Sequence, residues 1–176
     1  MAYGIVRTDS MYGTDVRAGL VSIKYMGANG STPTAIENGN VLKVGALETG
    51  EREVYIGGAV AANDALKDVV LIASPEVMYD ERKRNIDEFI NDAGKACRGY
   101  RFHDGDIFSV TKDALDGAAT PAVGNIVELK AGTKLNVAAS ATAGATTVGK
   151  IIAVDAVGRY TYYAILVGEV AAIAVD

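Results

Sequence analysis

The chain has no tryptophan, and it has a single cysteine, Cys97, and a single histidine, His103, in 176 residues. One cysteine excludes an intramolecular disulfide, and a thiolate metal site would need further ligands. One histidine supplies no second imidazole ligand, and no coherent set of catalytic partners accompanies it. We therefore predict no catalytic residues, no metal and no cofactor.

Long apolar runs and an excess of positive charge are also missing. The longest candidate membrane span, residues 162–175, is shorter than the roughly 18 residues required and contains Glu169. The first residues lack the basic and apolar regions of a secretory signal. The net charge of −5 repels phosphate backbones. We expect a protein made in a reducing cytoplasm that binds neither membranes nor nucleic acid.

A short pattern recurs along the chain: glycine, then Asn or Asp, then a β-branched residue that opens an apolar run. It occurs at residues 39–41, 105–107 and 124–126. Glycine and Asn favour turns, and β-branched runs favour strands. The pattern predicts a mainly β fold, a small barrel or sandwich with glycine-rich turns and one short helix, with an α+β fold as the alternative. The copies have no fixed period, which argues against a solenoid.

Apolar runs bounded by turn residues predict the individual strands. The predicted strands are residues 19–25, 41–47, 52–60, 68–73, 107–110, 126–129, 148–154, 160–167 and, as a closing strand, 170–175. Residues 138–147 are rich in Ala, Thr and Gly and are predicted to form a loop or an edge strand.

Residues 80–104 differ from the rest because charged side chains are concentrated there. Within them Ile86, Phe89, Ile90 and Ala93 follow helical spacing, which predicts a short amphipathic helix, with an extended loop as the alternative. This segment ends an N-terminal β-rich region, residues 1–104, and a C-terminal small β-barrel is predicted over residues 105–176.

Residues 144–150 match the first seven positions of a phosphate-binding loop. The next residue is Ile151, where the motif needs Ser or Thr to hold magnesium. A phosphate-binding loop must also lead into a helix, whereas the following residues predict a strand. The match therefore does not indicate nucleotide binding.

Two residues were weighed as reactive groups. Cys97 lies between Lys95 and Arg98, which can lower the pKa of a thiol, and His103 is flanked by carboxylates. The alternative interpretations are an ordinary semi-buried thiol and a histidine in a turn before a strand, and these are the ones we adopt.

Basic side chains in the charged segment are candidates for binding an acidic protein surface, because arginine pairs with carboxylates in a bidentate manner. The alternative is a solvated face with internal salt bridges. Tyr79 and Phe102 could add aromatic anchors. The predicted partner-binding residues are Arg82, Lys83, Arg84, Arg98, Tyr100 and Arg101.

Several of these segments resemble capsid decoration (cement) proteins of tailed bacteriophages. The resemblance rests on the Gly-Asn-Ile/Val strand openers, the small-residue segment 138–147 and the strand 148–154. Residues 83–89 and 98–102 are also similar to parts of phage head structural proteins.

The resemblance implies a β-rich protein that binds the exterior of an assembled capsid as a trimer or a monomer and bridges subunits of the major capsid protein. It implies synthesis in the host bacterial cytoplasm and a final location on the virion. Residues 1–15 are then a candidate capsid-gripping arm that becomes ordered by strand addition on binding.

Two other functional classes were considered. One is a different virion part, such as a head fibre, a tail subunit or a host-surface adhesin that binds a cell-wall polymer or sugar. The absence of tryptophan argues mildly against sugar binding. The other is a hydrolase that uses Cys97 or the region of His103.

Overall fold

The computed structural model describes residues 3–11, 19–80, 82–83 and 85–168. Within these ranges the regular structure is almost entirely strand, joined by 3-10 turns at Leu66–Asp68, Ile86–Glu88 and Lys112–Ala114. The strands are β1 (Val6–Ser10), β2 (Leu20–Tyr25), β3 (Val41–Leu47), β4 (Val54–Gly58), β5 (Val69–Ile72), β6 (Cys97–Arg101), β7 (Ile107–Thr111), β8 (Leu115–Gly117), β9 (Ile126–Glu128), β10 (Leu135–Ala138), β11 (Thr147–Val157) and β12 (Tyr160–Val167).

Five strands close into a small barrel in the order β2-β4-β3-β5-β6, with β6 pairing back onto β2. The β2–β4 pair is parallel and the other pairs are antiparallel. Closure leaves the barrel without a free sheet edge, so its backbone groups are satisfied internally.

The barrel interior is filled by alternate side chains of its strands. Ile23, Leu42, Val70 and Ile72 are fully buried there. Their bulk requires a small residue opposite, since a Cβ at Gly99 would lie 2.8 Å from Val70 Cγ2. The interior is therefore a packed core and not a channel.

The remaining strands form a seven-stranded sheet in the order β1-β7-β12-β11-β9-β10-β8. The long β11–β12 hairpin lies at its centre, and β8 and β10 form its one parallel pair among the described strands. The outer face of the barrel packs on this sheet: Val41 and Leu71 belong to the same buried cluster as Phe108, Val110 and Ile165. β5 is buried on both faces because it separates the two cores.

The mainly β fold class is confirmed. The strands predicted within residues 19–73 and 107–167 are also confirmed. They correspond to β2–β5, β7, β9, β11 and β12. Residues 139–146 form a loop between β10 and β11. The strand predicted at residues 170–175 lies outside the described residues.

The predicted amphipathic helix is wrong. Only the single 3-10 turn Ile86–Glu88 forms, and Phe89 already has an extended backbone, with φ −77° and ψ 135°. The chain extends there because Asn91 forms a β-bridge with Ile36.

None of the helical segments that the structure describes has the length and apolar character needed to cross a membrane.

The small barrel was predicted for residues 105–176, and its position is corrected. The closed barrel is built from residues 20–101, whereas residues 107–167 supply six strands of the seven-stranded sheet. Both halves have alternating apolar patterns, and only the strand pairing shows which of them closes.

The candidate arm, residues 1–15, contains strand β1 in this structure. β1 pairs with β7 within the same chain, with Val6 opposite Val110 and Arg7 opposite Ser109. The backbone N–H of Ile5 also donates to Thr111 Oγ1 at 3.1 Å. Residues 1–2 and 12–15 lie outside the described residues.

Candidate interaction surface

The most unusual part of the fold is the segment that joins β5 to β6, residues 73–96, which we call the β5–β6 connection. Apart from the 3-10 turn Ile86–Glu88, its described residues have no regular structure. Connections longer than about 15 residues are uncommon in compact domains and usually have a function. The segment also contains part of the predicted partner-binding set.

The base of the connection is fixed by two buried asparagines. Asn38 Nδ2 donates to the Ser74 carbonyl at 2.8 Å and to Glu76 Oε1 at 3.0 Å, and its Oδ1 accepts from the Ser74 N–H. Asn91 Nδ2 donates to Asn38 Oδ1 and to the Ile36 carbonyl, both at 3.0 Å. The two asparagines are 1% and 7% exposed, so this network is shielded from competing water. Both ends of the connection are thereby held on one short segment.

The middle of the connection is anchored through Asp87. The Tyr3 N–H donates to the Asp87 carbonyl at 3.1 Å. Arg159 Nη2 donates to Asp87 Oδ1 at 2.6 Å, and the Tyr160 hydroxyl donates to the same oxygen at 3.2 Å. Because these partners belong to the seven-stranded sheet and its N-terminal edge, the connection is held against both halves of the fold.

Between these anchors the connection presents large apolar side chains to solvent. Tyr79 is 94% exposed and Val77 is 58% exposed. They border a cleft of about 480 Å³ that is also lined by Met78, Phe89 and Ile90. Exposed apolar groups clustered on an anchored segment are typical of a protein-binding surface.

The charged groups near this cleft are mixed. Arg82 forms two hydrogen bonds of 3.0 Å with the Asp80 carboxylate. Arg82 lowers the pKa of Asp80, and Asp80 raises the pKa of Arg82, mainly through these hydrogen bonds. The Arg82 side chain is 90% exposed, so the pair adds little to stability and remains accessible to a partner.

The structure describes five of the six predicted partner-binding residues, and it does not bring these five together. Arg82 and the exposed Lys83 lie on the connection, whereas Arg84 lies outside the described residues. Arg98 is exposed just after the connection, at the start of β6. Tyr100 is buried in the core between barrel and sheet, and Arg101 donates to the Lys67 carbonyl at 2.9 Å.

Sequence reasoning missed the contribution of Val77, Phe89 and Ile90 to this surface. The helical spacing of Phe89 and Ile90 predicts that they lie on the apolar face of a short helix. Exposure alternates along this part of the connection, with Pro75, Val77 and Tyr79 exposed and their neighbours less so, and this pattern is visible only in the structure.

The residues weighed as reactive groups lie in separate places. Cys97 belongs to the barrel interior, whereas His103 lies in the turn between β6 and β7, beside Asp106, whose Oδ2 accepts from the His103 N–H at 2.9 Å. Among the described residues, no group of three His, Cys, Asp or Glu side chains could hold a metal ion. The phosphate-loop-like segment ends inside strand β11, as expected from its sequence.

Cys97 is expected to resist alkylation in the folded protein. Burial raises the pKa of its thiol to about 12, and its Sγ donates to the Ile23 carbonyl at 3.0 Å. The thiolate is the reacting species, so iodoacetamide should label Cys97 slowly in buffer and completely in urea. Intact mass against time measures this, and rapid labelling of the native protein would contradict it.

Comparison with known proteins gives no relative for this fold or surface. No family model, curated protein or solved structure matches the chain.

Proposed function

We propose that the protein is a structural component of a tailed-phage virion that binds the outer surface of the assembled capsid and bridges neighbouring capsid subunits. In this proposal the β5–β6 connection is the contact surface, and no bond is made or broken. The observation that carries the proposal is the anchoring of this connection on a closed barrel while Val77 and Tyr79 face solvent.

The physical requirements of such a role agree with this surface. Tyrosine and arginine dominate binding energy in protein interfaces, and an anchored segment loses little conformational entropy on docking. Tyr79 lines the cleft, and Arg82 follows it three positions later on the connection. A ligand that binds only the assembled lattice stabilises that lattice by its binding free energy.

The proposal is tested by mixing the purified protein with expanded, emptied capsids and with unexpanded precursor shells. Cosedimentation with expanded capsids alone, together with a raised capsid melting temperature, is the expected result. Binding to neither shell would overturn the proposal. Binding instead to host cell walls would favour the alternative of a fibre, tail subunit or adhesin.

Substitution of Tyr79 by alanine is expected to weaken capsid binding by about 2 kcal/mol, roughly thirtyfold in Kd. The stability of the free protein should not change, because the side chain is almost fully exposed. Quantitative cosedimentation measures the affinity, and urea unfolding measures the stability.

Val77→Ser and Val154→Ser form a matched pair for the same assay. Both remove a partly exposed valine, 58% and 42% exposed, but Val154 lies on strand β11 outside the cleft. The first should weaken binding and the second should not. Equal effects would contradict the assignment of the contact to the β5–β6 connection.

A further inference from the structure

The chain contains two Asn-Gly dipeptides, Asn29-Gly30 and Asn38-Gly39, in opposite environments. Asparagine is thermolabile, and a following glycine favours its breakdown because no Cβ hinders attack by the glycine nitrogen. Asn29 and Gly30 are exposed, whereas Asn38 and Gly39 are buried. The chain therefore contains the same reactive dipeptide twice, once exposed to solvent and once buried.

The turn around Asn29 places its side-chain carbonyl in an activating position. Asn29 Oδ1 accepts the backbone N–H groups of Ser31 at 3.1 Å and Thr32 at 3.2 Å. Two N–H donors aimed at a carbonyl oxygen stabilise the negative charge that forms there when a nucleophile attacks its carbon. The amide nitrogen of Asn29 is also held, since Nδ2 donates to Thr32 Oγ1 at 3.0 Å.

The attacking group is accessible. Gly30 is exposed, and a Cβ at this position would meet no atom within 4 Å, so the residue is open to solvent. Its N–H donates to the Gly27 carbonyl at 3.1 Å, within a turn whose residues 28–30 are exposed. Opening one surface turn is enough to free the nitrogen, and such openings cost little free energy.

Asn38 is 1% exposed, so water and hydroxide do not reach the atoms that would react. Its Oδ1 and Nδ2 are held in the buried network with Ser74, Glu76 and Asn91. The Gly39 N–H donates to the Ile72 carbonyl at 2.8 Å, on the buried strand β5. Reaction at Asn38 would require the β5–β6 connection to detach and the core to open.

We propose that Asn29-Gly30 is a self-modification site of the folded protein and that Asn38-Gly39 is not. The Gly30 nitrogen loses its proton to hydroxide and bonds to Asn29 Cγ. The bond from Cγ to Nδ2 breaks, and Nδ2 leaves as ammonia after taking a proton from water. Water then opens the resulting cyclic imide at either carbonyl, which yields aspartate or isoaspartate without an oxidant or another enzyme.

The change adds one negative charge to the exposed loop between β2 and β3. Pro33 of this loop lies near Gly94 of the β5–β6 connection, since a Cβ built on Gly94 would lie 3.8 Å from the Pro33 side chain. Aspartate at position 29 can still accept the Ser31 and Thr32 N–H groups, so that product should keep the turn. Isoaspartate lengthens the backbone by one carbon and should disrupt it.

The test uses both sites within a single peptide. Trypsin cleaves after Lys24 and Lys43 and leaves residues 25–43 intact. The full chain is incubated at pH 8 and 37 °C, in buffer or in urea, and fragmentation of this peptide quantifies the amide-to-carboxylate mass change at each asparagine. In buffer, Asn29 should be modified at least about tenfold more than Asn38 because local opening is far more frequent than core opening.

In urea the chain is unfolded, and both asparagines precede a glycine. The extent of modification at the two sites should therefore be similar. Two results would overturn the proposal: an unmodified Asn29 in buffer after Asn38 has reacted in urea, or equal modification of both sites in buffer. The Asn29→Ser variant should lose the signal at position 29 and keep the slow one at position 38.

Discussion

Substitution of Gly149 by alanine is expected to lower the free energy of unfolding by about 3 kcal/mol, the upper end of the usual range for overpacking. A Cβ at this position would lie 1.9 Å from the Leu166 carbonyl oxygen and 2.8 Å from its carbon. Both atoms are backbone, so no side chain can move to relieve the contact. The β11–β12 ladder at the centre of the sheet must shift instead.

Thermal unfolding measures this effect, with a decrease of about 10 °C in Tm for a chain of this size. The control is Gly58→Ala, a glycine at the end of strand β4 where a Cβ would meet no atom within 4 Å. That variant should stay within about 0.5 kcal/mol of the wild type. Equal Tm values for the two variants would show that Gly149 is not sterically required.

This prediction also explains the glycine in the phosphate-loop-like segment. Gly149 pairs with Val167 on one side and Val127 on the other, inside the sheet. Strand packing requires its small size, so no bound nucleotide is needed to explain a glycine at this position. A sequence match of this kind is thus explained by a steric requirement that the sequence does not reveal.

Substitution of Glu128 by alanine is expected to cost about 3 kcal/mol, because it removes a buried carboxylate that satisfies several donors. Glu128 is only 2% exposed. Its Oε1 accepts from Asn136 Nδ2 at 2.8 Å and from the Thr142 hydroxyl at 2.6 Å, and its Oε2 accepts the Thr142 N–H at 2.9 Å. The residue thereby fixes loop 139–146 to strands β9 and β10. Urea unfolding at neutral pH measures the loss.

The stabilisation by Glu128 should also depend on pH. Burial by itself raises the pKa of this carboxyl group, but the hydrogen bonds from Thr142 and Asn136 outweigh it and lower the pKa below its usual value. As the pH falls, the unfolded chain therefore takes up the proton before the folded chain does. The stabilisation is complete above the ordinary Glu pKa and disappears as the pH falls through the lowered value.

Glu128→Gln is the variant that isolates this charge effect, since it keeps the size of the side chain. It should be less stable than the wild type at pH 7, and the difference should shrink as the pH falls below the ordinary pKa of Glu. Urea unfolding of both proteins across this range measures the difference. A difference in the free energy of unfolding that stays constant with pH would show that the charge of Glu128 does not contribute to stability.

Strand β6 shows why sequence patterns failed in the charged region. Its barrel-facing residues include Cys97 and Gly99, which are small because Val70 and Ile23 already fill the interior. Small inward residues next to arginines give no apolar alternation to detect. The strand is defined instead by its neighbours β2 and β5, which pair with it on both sides.

The helix error has a similar cause. Asn85 and Glu88 form a capping box, which starts a helical turn as the local sequence indicates. The turn ends after Glu88 because Asn91 exchanges backbone hydrogen bonds with Ile36, a residue far away in the sequence. The helical spacing of Phe89 and Ile90 is real, but these side chains line the cleft.

Outside the charged segment the sequence by itself determined most of the turns and extended stretches, because glycine conformations and the two-residue period of strands are local properties. The tertiary structure decided which strands pair, which half closes into a barrel and which apolar side chains stay exposed. Those outcomes depend on contacts between distant segments, such as β1 with β7 and Asn38 with Asn91. Many pairings bury similar apolar area, and only packing of the whole chain selects among them.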